Sequence, residues 1–500
     1  MRIVKESFFV RIYLRFLDFV KERVGESMIC SRFSRDFKTS AIIHSDLYSR
    51  IGAVWTGSKT HAAACVILNL PFNIMRLMRQ TMPNTLDNSG LLSLLKPRYM
   101  PLLFGLCTGA LFLIPHSHFN NIYSLGMMAI FMFIFMLSII AGYYNNFKIR
   151  RAGLFYIIFG MMVFISYMRA PIIGERLLFF YLTAFLTVLI IQGVINSRRA
   201  LYTFICVILA VITLSGVYAI YQRIVGVPVI SSQIDFYINI NMPGRVFSFY
   251  DNPNNYAEIL LMTLPLYVAM FYISKTTKQK VIIFLCTLPP AAAMLLTLSR
   301  SGWGALAAAM LIFFFVASPK IVPAIFMAGA AMLPLLPMTI INRALTIFRG
   351  GDSSTQFREY IRDMVAPVLR DHWVWGTGLG HETITGMVRL YYRESELPTW
   401  AIPAHTHNIY LQVLLEMGIF GALAAGLAML AFFITCIGGL IKSPARDRLI
   451  IAAGMGSIVG MLIMGTVEHI WFYPRVMLMF WITIGITLVA VRLGREGEHE

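Results

Sequence analysis

Residues 121–144 read NIYSLGMMAIFMFIFMLSIIAGYY, twenty-four positions without a charged side chain, and Lys148, Arg150 and Arg151 follow within a few residues. An α-helix rises 1.5 Å per residue, so about 20 mostly apolar residues cross a hydrocarbon layer ~30 Å thick. An apolar block closed by bases reads as a membrane span ending on the cytoplasmic side. The same criterion picks out twelve blocks: 99–115, 121–144, 152–169, 176–196, 200–222, 256–274, 281–298, 302–317, 320–340, 408–440, 448–468 and 474–492. The composition agrees. Of 500 residues, 58% belong to the AVILMFWYC set and 13% are charged, about half the charge of a soluble domain. The expected fold class is an all-α polytopic integral membrane protein with about twelve transmembrane helices. A disordered chain, a coiled coil and a disulfide-stapled secreted domain are excluded.

The net charge of +18 does not point to nucleic acid, because the bases lie between apolar blocks rather than in one patch. With the N-terminus inside, every inside gap is basic. These gaps carry Lys148, Arg150 and Arg151; Arg198 and Arg199; Lys275, Lys278 and Lys280; Lys320; and Lys442, Arg446 and Arg448. All eleven lysines fall inside on this map, and the outside segments hold arginine alone. Both termini are then cytoplasmic. The six cysteines show no CxxC spacing, so neither a disulfide nor a zinc site is expected.

Residues 1–97 form a basic cytoplasmic or interfacial region, distinct from the membrane domain over 98–500. Phe8 to Val20 is apolar except for Arg11, Arg15 and Asp18 at helical spacing, which predicts an amphipathic helix on the inner leaflet. Residues 62–73 are apolar but short and read as an interfacial or re-entrant helix. Two outside loops, about 223–255 and 341–407, exceed simple turns. In the second, Phe357, Ile361, Met364, Val365 and Val368 form one stripe, which predicts a helix over 354–370. A turn follows at Gly376-Thr377-Gly378-Leu379-Gly380, and the whole is expected to lie over the membrane like a lid.

Three clusters on the outer face could carry chemistry. Arg245 precedes Phe249 and Asn252-Pro253-Asn254; it reads as an anion clamp or as part of an ordinary polar loop. Arg300 sits in the short turn Ser299-Arg300-Ser301, as a ligand-holding arginine or one snorkelling to lipid phosphate. The third runs His405-Thr406-His407-Asn408-Ile409-Tyr410-Leu411 and then Glu416-Met417-Gly418-Ile419-Phe420-Gly421. His407 suits a general base. A metal role for His405 and His407 lacks a completing ligand. Glu416 would lie within the membrane, as a functional acid or as a partner for another helix. Arginine grips a diphosphate with a planar fork that lysine lacks, so a lysine-free outer face fits a lipid-linked diphosphate.

The string His407-Asn408-x-Tyr410-Leu411 with Glu416-x-Gly418-x-x-Gly421 resembles the signature of the O-antigen ligase and O-antigen polymerase family. The Arg245…Asn252-Pro253-Asn254 and Ser299-Arg300-Ser301 motifs are similar to that family's, in the same order, over roughly 99–495. The resemblance implies a fold related to GT-C glycosyltransferases in the bacterial cytoplasmic membrane. It implies transfer of a glycan from undecaprenyl diphosphate to an acceptor hydroxyl on the outer side, without a metal or other cofactor. The partners would be the lipid-linked donor, a glycan or glycolipid acceptor and the bilayer. Carried over, Arg245 and Arg300 would hold the diphosphate and His407 would be the base. Arg358 and the glycine-rich turn would help close the site, and Glu416 and His405 would support it. Ligation and polymerisation share these motifs. The competing class is a secondary transporter or polysaccharide exporter without transferase activity, which would place its polar residues at the bilayer midplane.

Overall fold

The computed structural model describes residues 53–54, 57–81, 95–144, 151–228, 243–317, 337–345, 353–392 and 402–496, with scattered positions between 318 and 334. Two compact units divide the chain. One comprises Met1–Leu70, Phe147–Arg151 and Ser318–Leu335; the other comprises Pro71–Asn146, Ala152–Ala317 and Leu336–Glu500 and carries the site.

Among the described residues every regular element is a helix. In chain order these are α1 (Lys59–Thr81), α2 (Met100–Leu113), α3 (Asn121–Ile140), α4 (Arg151–Arg169), α5 (Pro171–Val194), α6 (Arg198–Val225), α7 (Pro253–Ile273), α8 (Thr277–Leu296) and α9 (Arg300–Ala317). Then follow α10 (Met338–Leu345), α11 (Ser353–His372), α12 (His381–Tyr391), α13 (Ile409–Lys442), α14 (Ala445–Met464) and α15 (Pro474–Glu496). Nine of them are long and apolar enough to cross a membrane, and two shorter apolar helices accompany them. The protein is a multi-pass membrane protein. Eleven of the twelve expected blocks coincide with helices; α2, at 14 residues, ends before Pro115, which cannot continue a helix. Block 320–340 and the Phe8–Val20 helix fall mostly or wholly outside the described residues. The short apolar run at 62–73 is part of the longer α1.

Burial grades the helices of the second unit. In α15, 89% of the central window is buried, against 17% in α8, so α15 is enclosed by its neighbours while α8 faces outward. Lipid tails are as apolar as leucine, so helices associate through close fit and polar contacts. On α14, a Cβ added at Gly456 would lie 2.5 Å from the Ala309 carbonyl oxygen of α9, and one at Gly460 would lie 2.8 Å from that of Ala305. Phe159, Tyr181, Trp471 and Trp481 join α4, α5 and α15, with successive ring centroids 5.8, 6.1 and 6.3 Å apart. At one end of the bundle Arg198 pairs with buried Asp447 at 2.9 Å, linking α6 to α14, and Arg492 donates to the Gln192 carbonyl at 2.6 Å.

At the other end the described parts of the connections α6–α7, α8–α9 and α14–α15 meet α10, α11, α12 and residues 402–408. There α11 buries Ile361, Met364, Val365 and Val368 against Ile384 and Val388 of α12 and Leu415 of α13. The stripe read from the sequence is thus the buried face, except Phe357, which is 37% exposed. The helix α12 was not expected.

Candidate functional site

The histidine motif is a docking device before it is a chemical one. Asn408 caps α13, its Oδ1 accepting from the Leu411 N–H at 3.0 Å, while its Nδ2 donates to the Thr466 carbonyl at 2.9 Å. The Ile409 N–H donates to the Gly465 carbonyl at 2.8 Å and the Tyr410 hydroxyl to that of Leu462, also 2.8 Å. The Asn-x-Tyr pattern therefore fastens the start of α13 to the loop leaving α14. That loop carries Glu468, and His407 Nδ1 lies 3.1 Å from Glu468 Oε2.

Glu468 is the hub. Its Oε1 accepts from Arg358 Nη2 at 3.0 Å and from Asn254 Nδ2 at 2.8 Å. Arg358 also donates through Nε to the Val467 carbonyl at 2.9 Å. Asn254 stands in the first turn of α7, where Asn252 is the cap and Pro253 fits the first helical position. Its Oδ1 accepts from Arg245 Nη2 at 2.6 Å, and Arg245 Nε donates to the Thr297 carbonyl at 2.8 Å. The next carbonyl, of Leu298, accepts from Arg343 Nε at 3.3 Å. Arg300 opens α9 two residues later and is half-buried. The turn before α9 therefore seats two arginines and supplies a third.

The electrostatics follow from this crowding. Burial and the neighbouring charge of Arg343 lower the Arg245 guanidinium to about 9, with Arg300 and Arg358 adding to the repulsion and Glu468 opposing it. Arg245 stays charged at neutral pH. Burial alone would raise Glu468, but the hydrogen bond from His407 and the Arg358 charge outweigh it and hold the carboxyl at about 2. His469, next along the chain, is pushed down to about 3 by burial and then by His407, so it stays neutral. Four guanidinium groups thus act on one another around Arg245, with Glu468 as a counter-charge.

Backbone strain concentrates here too. Among the described residues three non-glycines have positive φ: Ser248 at 53°, Leu298 at 53° and His407 at 49°. Each costs roughly 1–3 kcal/mol and persists where the surroundings over-determine it. Ser248 is held by Gln222, which accepts its N–H at 2.8 Å and donates to its carbonyl at 3.1 Å.

The expected residues divide in two. Arg245, Arg300, Arg358 and His407 share the network around Glu468 or act on it electrostatically. His405 adjoins it, its ring centroid 4.1 Å from that of His407 and its Nδ1 accepting the His407 backbone N–H at 3.2 Å. Glu416 lies apart. It accepts from Gln412 Nε2 at 2.8 Å, and Gln412 Oε1 accepts the Thr406 N–H at 2.9 Å, so it braces the histidine loop from below. The glycine-rich turn is also elsewhere. Helix α13 kinks at Gly418 (φ 66°, ψ −170°), which frees backbone groups that the turn takes up. Thr377 N–H donates to the Leu415 carbonyl at 2.8 Å, Gly378 N–H to that of Glu416 at 3.1 Å, and Ile419 N–H to that of Trp373 at 2.8 Å. The turn straps α13 at its kink.

Glu468 and Arg343 were not singled out from the sequence. Glu468 ends an apolar block and read as its last residue. Arg343 lay within a long loop, and its signal was only that the outer segments hold arginine and no lysine. Among the described residues no three His, Cys, Asp or Glu side chains come together as metal ligands.

Residues 282–426 match the family model described as O-Antigen ligase. The match covers under a third of the chain and supports a relation to the O-antigen ligase and polymerase family. No curated protein matches it. The matched segment runs from α8 into α13 and contains Arg300, Arg343, Arg358, His405, His407 and Glu416, while Arg245 and Glu468 lie on either side of it. The match supports an O-antigen ligase or polymerase function in the membrane and suggests a glycosyl-transferring enzyme, and a transporter or exporter is not favoured.

Proposed function

We propose that this protein, as its match to the O-antigen ligase model suggests, transfers a glycan from undecaprenyl diphosphate to an acceptor hydroxyl at the outer face of the bacterial cytoplasmic membrane. Both termini are cytoplasmic in this reading, and the fold is related to GT-C glycosyltransferases. The observation that carries the reading is the charge balance. The charges of Arg300, Arg343 and Arg358 all bear on Arg245, and Glu468 opposes them. Such a cluster is completed by a polyanion, and a diphosphate suits the planar guanidinium fork.

The chemistry needs a base and an electrostatic sink. The Nδ1 of His407 faces Glu468, which leaves Nε2 as the nitrogen that takes a proton from the acceptor hydroxyl. The hydroxyl oxygen attacks the anomeric carbon, the bond from that carbon to the diphosphate oxygen breaks, and the electron pair leaves on the diphosphate. Arginine charges fixed in advance stabilise the growing negative charge without reorganising. Arg245 acts chiefly through its charge, since Nε and Nη2 already bind protein groups. Arg300, being more exposed, contacts the diphosphate, and Arg358 couples the same charge to Glu468. His405 is the weaker candidate for the base, because its Nδ1 already accepts a backbone N–H.

The test is transfer from a purified undecaprenyl-diphosphate donor, with a lipopolysaccharide core or a second lipid-linked repeat unit as acceptor. Transfer to one acceptor, unaffected by EDTA and lost in a His407 variant, is the expected result. EDTA-sensitive transfer restored by a divalent ion would overturn the metal-independent mechanism. Binding of donor without transfer to either acceptor would overturn the reading.

A further inference from the structure

The end of the bundle opposite the arginine cluster carries an open groove of about 630 Å³. Its rim is formed by Arg199, Lys275 and Arg446, and its wall by Tyr202, Cys206 and Ala210 on α6, with no acidic side chain in the lining. We propose that this groove binds an anionic phospholipid, the phosphate at the basic rim and an acyl chain along the α6 wall.

Three independent features converge on that occupant. The first is charge. Asp447, next in the chain to Arg446, is buried and already paired with Arg198 at 2.9 Å, so it does not neutralise the rim. The second is the backbone. Arg199 is the second residue of α6, Lys275 lies two residues before α8, and Arg446 is the second residue of α14. The three bases therefore stand at or just before the starts of three helices, whose positive dipole ends add to the attraction for an anion. The third is the gradient from charge to grease. Below the bases, α6 presents Cys206 and Ala210 exposed in the middle of an apolar span. Tyr202 stands between the two zones, its hydroxyl buried and without a partner among the described residues. A soluble phosphate would use the rim but not the wall, whereas a phospholipid uses both. Basic pockets between helices at a cytoplasmic surface bind lipid headgroups in this manner.

The experiment uses the full chain purified in detergent and returned to nanodiscs. Retained lipid is counted by native mass spectrometry, with phosphatidylglycerol or phosphatidylcholine as the probe. The variant Arg199→Ala/Lys275→Ala/Arg446→Ala removes the rim. Lys278→Ala/Lys442→Ala/Arg448→Ala removes the same charge from the same end but outside the groove. A base near an anionic headgroup contributes about five-fold, so losing three weakens phosphatidylglycerol binding by about 100-fold. The control triple is expected to stay within about five-fold of the parent. Ala210→Trp keeps every charge and blocks the wall, and it too is expected to lose the lipid. Equal losses in both triples would overturn the proposal in favour of diffuse attraction. Unchanged binding in the rim triple would refute the site. Displacement of the lipid by millimolar inorganic phosphate, or full binding in Ala210→Trp, would mean that the headgroup alone is held and would overturn the acyl-chain assignment.

Discussion

Replacing Glu468 by Gln isolates the hub of the arginine cluster. The change keeps the shape and one acceptor oxygen but removes the carboxylate whose charge opposes the arginines around Arg245. The folded protein holds Glu468 at about 2, against an ordinary value of 4.5. The difference is about 2.5 units, and at 1.36 kcal/mol per unit it stabilises the fold by about 3 kcal/mol. The carboxyl is lowered on folding, so the stabilisation is complete above pH ~4.5 and drains away as pH falls toward 2. The assay is thermal unfolding in detergent from pH 7 to pH 3, comparing parent and Glu468→Gln. The variant is expected to be less stable by about 3 kcal/mol at neutral pH, with the gap closing steadily below pH 4.5. Other carboxylates titrate in both proteins and cancel in the comparison. A gap that is constant between pH 7 and pH 3, or no gap at all, would refute the role of Glu468 as the ionised counter-charge. In transfer assays the same variant should lose kcat about 10²–10⁴-fold, because His407 loses the partner that orients it.

His407→Asn should abolish transfer by a similar factor while leaving unfolding temperature and donor binding near the parent; Asn tolerates the left-handed backbone at φ 49° better than Ala would. Arg245→Lys should lower both unfolding temperature and activity, since lysine cannot donate to Thr297 and Asn254 together, whereas Arg300→Lys should lower activity with little loss of stability. Equal stability losses in the two lysine variants would contradict that division. Gly418→Ala should destabilise the protein by about 1–3 kcal/mol, because its φ is 66° and an added Cβ would strike the Val374 carbonyl. An unfolding temperature within a degree of the parent would show that the strap at the α13 kink contributes nothing.

What the sequence decided by itself are properties that are local and additive. A run of some twenty apolar residues is costly in water wherever it occurs, so the spans α3 to α9 and α13 to α15 could be located from their own composition. The stripe on α11 and the caps at Asn252 and Asn408 are likewise written within a few residues. Arg245, Arg300 and His407 stood out because polar residues at apolar boundaries are conspicuous, and the family resemblance named them in order. Their mutual geometry was settled elsewhere. Asn254 and Glu468 are 214 positions apart and His407 and Glu468 are 61 apart, and no residue pattern signals that such groups meet. Arg343 is tied to the cluster by a hydrogen bond to the carbonyl of the left-handed Leu298. Glu416 could be a functional acid or a structural partner for another helix, and the packed helices show it bracing the loop above through Gln412. The helix α12 escaped notice because a short amphipathic segment has little propensity of its own and is stable only once α11 and Leu415 cover its apolar face. Burial free energy is local enough to be read along a chain, but the partners that satisfy a charge are chosen by packing, and packing exists only in three dimensions.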